Sequence, residues 1–190
     1  MKNSLALLGL AALVASTAAS AEPTSYTADL THAAVVSQSR HFGTSTTSIK
    51  YPVKSGTVTL DPTAGTAKGS FVIDLTKVDS GVPKLDEHLK TAQFFNAGTY
   101  PEASFLITSA RYAGDKLTQL SGELSMAGKT NPVTLNATNY NCYVSPASKK
   151  SVCGGDFETT IQRTQWGINY LVPFVSDETK LQIQIEATKD

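Results

Sequence analysis

No apolar run in this chain reaches the roughly 20 residues that a helix needs to cross a bilayer. The most apolar stretch, Leu5 to Val14, stops well short of that. Charge of one sign is missing too, with 16 basic side chains against 16 acidic ones. A nucleic-acid binder would carry a basic stripe or a high pI, so the balance argues against that class. It also removes bulk attraction to anionic lipid as a driving force. Cysteine is reduced to two residues, Cys142 and Cys153. Their spacing is not C-x-x-C and no histidine lies beside them, so a zinc site has little to stand on. No G-x-S-x-G elbow supplies a serine nucleophile. Internal repeats and low-complexity linkers are absent, and helical periodicity is confined to one short stretch near Lys84 to Thr91.

What is present begins with a leader. Lys2 gives a positive start, Leu5 to Val14 form the apolar run, and Ala19-Ser20-Ala21 supply small residues at a cleavage position. This is the pattern of a secretory signal peptide. Cleavage is expected after Ala21, so 1–21 is the signal peptide and 22–190 the mature domain, periplasmic or secreted. No cysteine near the cleavage position marks a lipid anchor. In an oxidising compartment Cys142 and Cys153 are expected to form a disulfide around a polar loop, Val144 to Val152.

The mature part alternates apolar and polar residues at period two. Phe71 and Ile73 share one face, as do Phe105 and Ile107, then Leu120, Leu124 and Met126, then Val133, Leu135 and Ala137. Lys180 to Thr188 sets Leu181, Ile183, Ile185 and Ala187 against Gln182, Gln184 and Glu186. Val53, Val58 and Leu60 alternate with a slip at Gly56, which predicts a bulge there. Thr44 to Ser48 reads as an exposed loop or weak edge strand. Asp61-Pro62-Thr63-Ala64-Gly65 and Ala113-Gly114-Asp115 carry turn chemistry. About eight strands with one buried face each predict an all-β antiparallel barrel or sandwich. A barrel of that size has room for a small ligand.

One stretch breaks the alternation: Lys84 to Pro101, with Asp86 and His88 on a helical turn, then Leu89, then Phe94-Phe95, then Tyr100-Pro101. Asp86-x-His88-Leu89, Phe94-Phe95 and Tyr100-Pro101 fall in order with Phe105 and Ser109. Gly122-x-Leu124-x-x-x-Gly128 and Ile161-x-Arg163-Thr164-Gln165-Trp166-Gly167-Ile168 follow, then Val175-Ser176-Asp177. In these motifs the chain resembles the YceI-like family of exported lipid- and polyisoprenoid-binding proteins. The resemblance covers nearly the whole mature chain. It implies a lipocalin-like barrel with one short helical insertion, holding an isoprenoid or other long-chain lipid and performing no catalysis. Two departures bear on the ligand. Ser37 and Ser39 stand where the family's first long strand has an apolar pair, and Leu85 stands where an arginine is frequent.

The residues expected to line a lipid cavity are Phe71, Leu89, Phe94, Phe95, Phe105, Met126, Phe157, Ile161 and Trp166. From composition alone the aromatics read as ordinary core. Asp86, His88 and Arg163 are candidate head-group contacts. Residues i and i+2 of a helical turn do not face each other, so Asp86 and His88 are a poor general-base pair. Arg163, in phase with Phe157 and Ile161, points inward if its strand extends that far, and a buried guanidinium needs partners. Those partners could be Asp177, Asp86, backbone carbonyls, or a phosphate or quinone oxygen. No cofactor is expected beyond a bound isoprenoid lipid or quinone. His32, His41 and His88 could in principle gather around a metal, but their spacing gives this no support. The alternatives are an enzyme acting on a lipid head group through Asp86, His88 and Arg163, and a solidly packed envelope stress or interaction protein.

Overall fold

The computed structural model describes residues 22–190, so the expected leader, 1–21, lies outside the described residues. The alternating segments become strands β1 (Thr24–Ala28), β2 (Ala34–His41), β3 (Ser45–Asp61), β4 (Thr66–Asp74), β5 (Glu102–Ala113), β6 (Lys116–Met126), β7 (Lys129–Val144), β8 (Ser151–Gln162) and β9 (Val175–Lys189). From β2 onwards each strand pairs antiparallel with its successor. The ring closes where β9 returns to β2, from Ala34↔Gln184 to His41↔Val175. The result is an up-and-down barrel of eight strands. Closure leaves none of the eight with a free edge.

β1 is an extra strand set in line with β2, between the same two neighbours. It pairs with β3 at Thr57 to Leu60 and with β9 at Ala187 to Lys189. A 3-10 turn, Leu30–His32, separates it from β2. The Asp29 carboxylate holds that turn, accepting from the Thr31 N–H at 2.9 Å and pairing with His32 Nδ1 at 2.9 Å.

Two expectations are corrected. Thr44 to Ser48 is not a loop or weak edge: from Ser45 it belongs to β3 and pairs with β2 residue for residue. The cause is the turn before it. Phe42 and Gly43 both sit at positive φ, and the Thr44 N–H donates to the His41 carbonyl at 3.0 Å. That tight turn matches strand twist and starts the hairpin at once. The bulge lies at Lys54, where the β3–β4 register shifts between Val53 and Ser55, and not at Gly56. Gly56 answers a different need. The Phe71 ring lies over it, and a Cβ there would stand 2.1 Å from that ring.

Inward side chains form two apolar clusters. One packs Tyr26, Leu60 and Leu117, with Tyr112 and Tyr140 against them, into the lower end, where β1 begins and β9 finishes, and continues upward along the barrel through Leu120, Phe105 and Phe157. The other gathers Tyr51, Ile73, Leu75 and Ala103 beneath the long β4–β5 connection at the upper end. That connection carries helix α1 (Pro83–Leu89), where Pro83 occupies the first turn and so loses no helical hydrogen bond. Leu89 and Ala97 are its buried pegs. An isolated bridge between Lys50 and Asp79 ties it to β3.

Cys142 and Cys153 face each other across β7 and β8 and are joined by a disulfide. The closed loop spans a sequence separation of 11, for which loop-closure entropy predicts about 3 kcal/mol of stabilisation. Replacing both cysteines by serine should lower unfolding stability in denaturant by that amount while leaving the far-ultraviolet strand signal intact. An unchanged midpoint would contradict the account.

Candidate functional site

Above the filled lower end the barrel interior stays open. A cavity of about 470 Å³ occupies it, within the roughly 300–1,000 Å³ usual for ligand sites. Its wall is mostly aliphatic and aromatic and draws on all eight barrel strands. Phe71, Leu89, Phe94, Phe95, Phe105, Met126, Phe157 and Ile161 all stand on this wall. Trp166 lies outside it. The strand phase ends at Gln162, and the next residues wind into a 3-10 turn, Arg163–Trp166. The turn swings the indole into the protein, 1% exposed, where its N–H donates to the Leu124 carbonyl at 2.9 Å.

The polar candidates separate. Asp86 is not on the cavity wall. Its carboxylate accepts from the Ser80 N–H at 2.7 Å and the Ser80 hydroxyl at 2.6 Å, clamping the chain just before α1. Those bonds from Ser80 hold its pKa below the ordinary 3.8. His88 does stand on the wall and meets Phe94 and Tyr170 edge-on, with ring centroids 5.1 Å and 5.4 Å away. Phe94 and Tyr170 meet edge-on as well, at 5.4 Å. This three-ring cluster joins the α1 segment to the β8–β9 connection. Asp86 and His88 thus work on different neighbours.

Arg163 is 6% exposed and stands on the cavity wall. Its Nε donates to the Ser176 carbonyl, Nη1 to Ile168, and Nη2 to Tyr170 and Val175, each at 2.9 Å. Four of the five guanidinium N–H groups thereby organise the β8–β9 connection. Burial lowers its pKa, and the nearby Asp177 charge opposes that. Asp177 itself bonds Thr164, accepting from its N–H at 2.9 Å and its hydroxyl at 2.8 Å. Backbone carbonyls are therefore the partners that Arg163 takes.

His41 joins His88 on the wall, whereas His32 pairs with Asp29. Among the described residues no group of three metal-ligating side chains forms. Sequence reasoning missed three wall residues of β3, Thr47, Ile49 and Tyr51. They continue the inward phase of Val53 backwards at steps of two, so the signal was there. At the rim, Phe42 and Phe174 stack with centroids 5.2 Å apart, both exposed.

A closed antiparallel barrel with an apolar interior cavity and a helical insertion across one end defines a lipocalin-like class. Within that class, a family model described as the YceI-like domain matches residues 26–187. The chain is 33% identical over 192 residues to Protein YceI of Escherichia coli O157:H7, an alignment covering 100% of this chain and 99% of that one. The chain belongs to the YceI-like family. Solved structures share the fold. BcnA of Burkholderia cenocepacia superposes with a TM-score of 0.67 at 22% identity, covering 85% of this chain and 99% of BcnA. A polyisoprenoid binding domain from Saccharophagus degradans, implicated in plant cell wall breakdown, superposes with a TM-score of 0.63 at 14% identity, covering 88% and 99%.

Two outcomes follow from the polar groups. Arg163→Met keeps the bulk but leaves four carbonyls without their donor. It should lower stability by about 3 kcal/mol and speed amide exchange across 168–176. Loss of less than about 0.5 kcal/mol would contradict that role. For Asp86, the folded pKa lies below the unfolded one. Its stabilisation is therefore complete above 3.8 and is lost as pH falls through the lower folded value. The Ser80 amide resonance should move in that acid window in the wild type and stay fixed in Asp86→Ala.

Proposed function

We propose that this protein is exported and carries or sequesters a long-chain isoprenoid or similar lipid inside the barrel, as a binding protein and not an enzyme. The observation that carries the reading is the open, apolar upper half of a barrel whose lower half is filled. Each prenyl unit transferred from water into such a space contributes about 4 kcal/mol gross, at ~0.8 kcal/mol per carbon. Several units offset the entropy of ordering a flexible chain without specific polar contacts. The neighbour described as a polyisoprenoid binding domain supports the same ligand class. The separation of Asp86 from His88, and the use of Arg163 on backbone carbonyls, speak against head-group catalysis. The disulfide and the leader-like 1–21 segment support an oxidising location, the periplasm or outside the cell.

In this reading the α1 segment is the gate. Leu89, Phe94 and Phe95 press on the cavity from above, and Phe95 meets Tyr51 edge-on at 5.6 Å. Asp86 fixes the near end of the gate through Ser80, and the His88 ring cluster fixes the far side.

Native mass spectrometry of protein purified from its host tests the ligand. An adduct of lipid mass is expected. A clean apo mass together with no uptake of labelled polyprenol would sink the reading. The gate makes a ranking: Phe94→Ala and Phe95→Ala should each change the polyprenol exchange rate more than His88→Ala does. The reverse order would move the weight to the histidine.

A further inference from the structure

We infer that the ligand carries a neutral oxygen acceptor in the upper interior, beneath the gate, received by the paired hydroxyls of Ser37 and Tyr51. The cavity would then select a long-chain lipid bearing a carbonyl or ether oxygen over a plain hydrocarbon tail. This rests on the lipid-binding reading above and sharpens it.

The argument starts from β2, whose inward positions are Val35, Ser37, Ser39 and His41. Ser37 and Tyr51 are 7% and 5% exposed, both stand on the cavity wall, and their hydroxyls lie 3.0 Å apart. Two hydroxyls bring two hydrogens, and one mutual bond uses only one of them. The second pair on the wall differs. Ser39 and Thr179 lie 3.0 Å apart, and the Thr179 hydroxyl donates onward to the Asp177 carbonyl at 3.3 Å. Ser39 then donates to Thr179, and both hydrogens are used within the wall. A spare donor that is buried therefore stands at Ser37 and Tyr51, on a wall that is mostly apolar. A buried donor left without an acceptor is unfavourable, so an acceptor on the ligand gains what a methylene cannot.

Two features define the acceptor. Burial pushes the Tyr51 hydroxyl well above its ordinary 10.0, so it stays a donor at physiological pH. The charged or titratable groups on the wall are Arg163, His41 and His88. Arg163 is engaged with carbonyls of the β8–β9 connection, His88 packs its ring against Phe94 and Tyr170, and Ser37 lies four residues below His41, about 13 Å along the strand. An ionised carboxylate or phosphate at Ser37 would be desolvated without a cation, which disfavours it. A ketone, quinone, ester or ether oxygen fits.

Equilibrium binding of three radiolabelled probes to the processed wild-type protein tests this. The probes are a long-chain prenyl methyl ketone, its isostere with a methylidene group in place of the carbonyl, and a straight-chain methyl ketone of equal carbon count. The prenyl ketone should bind about tenfold tighter than the methylidene isostere. The double variant Ser37→Ala/Tyr51→Phe should bring the ratio of the two affinities to about one. Whichever ketone binds tighter distinguishes an isoprenoid source from an acyl one. Equal, tight binding of ketone and isostere by the wild type would overturn the oxygen subsite and leave the lipid reading standing. No binding of any probe would overturn both. The wild-type ratio decides on its own if the double variant does not fold.

Discussion

Backbone pairing all the way round the barrel is the constraint from which the rest follows. Eight strands can satisfy their amides and carbonyls without edges only by closing, and β9 must reach β2 to do so. Closure fixes the interior width before any side chain is chosen. The sequence then decides what fills that width. At the lower end Tyr26, Tyr112 and Tyr140 project large rings into it, and the cluster around Leu60 and Leu117 is packed. At the upper end the inward positions carry Ser37, Ser39 and aliphatic residues, and they leave space. One cylinder of constant pairing is thus part core and part container.

A container with an open end needs a boundary, and both long connections supply it. The β4–β5 connection lays α1 across the top, and the β8–β9 connection is drawn in by Arg163. Neither could be held by apolar contact alone, because irregular backbone leaves carbonyls and amides to be satisfied. Asp86 accepts from Ser80 on one side, and Arg163 donates to four carbonyls on the other. The candidate head-group residues therefore have structural employment first. The His88, Phe94 and Tyr170 rings link the two connections directly.

Period-two alternation made the strands, and thereby the all-β class, legible at the level of sequence. The wall positions followed wherever the strand phase was unbroken, as at Phe71, Phe105, Phe157 and Ile161. Trp166 was out of reach of that reasoning. It follows Gln162, where the phase ends, and a 3-10 turn decides its direction. Thr44 to Ser48 looked like a loop because serine and threonine dominate it, yet a tight turn at Phe42-Gly43 forces it into register with β2. Gly56 looked like a bulge because glycines often mark them, but the cause lay across the sheet in the Phe71 ring. The pairings Ser37–Tyr51 and Ser39–Thr179 join residues 14 and 140 positions apart, so no local pattern could announce them.

The central claim is that the upper interior, and not the outer surface, takes the lipid tail. Intermolecular NOEs between a prenyl probe and methyl-labelled protein measure this directly. The account predicts contacts to Ile73, Leu135 and Ile183, which stand on the cavity wall, and none to Leu60 and Leu117 in the filled end. Contacts confined to exposed methyls such as Leu30 and Leu106, with silence from the wall, would contradict it.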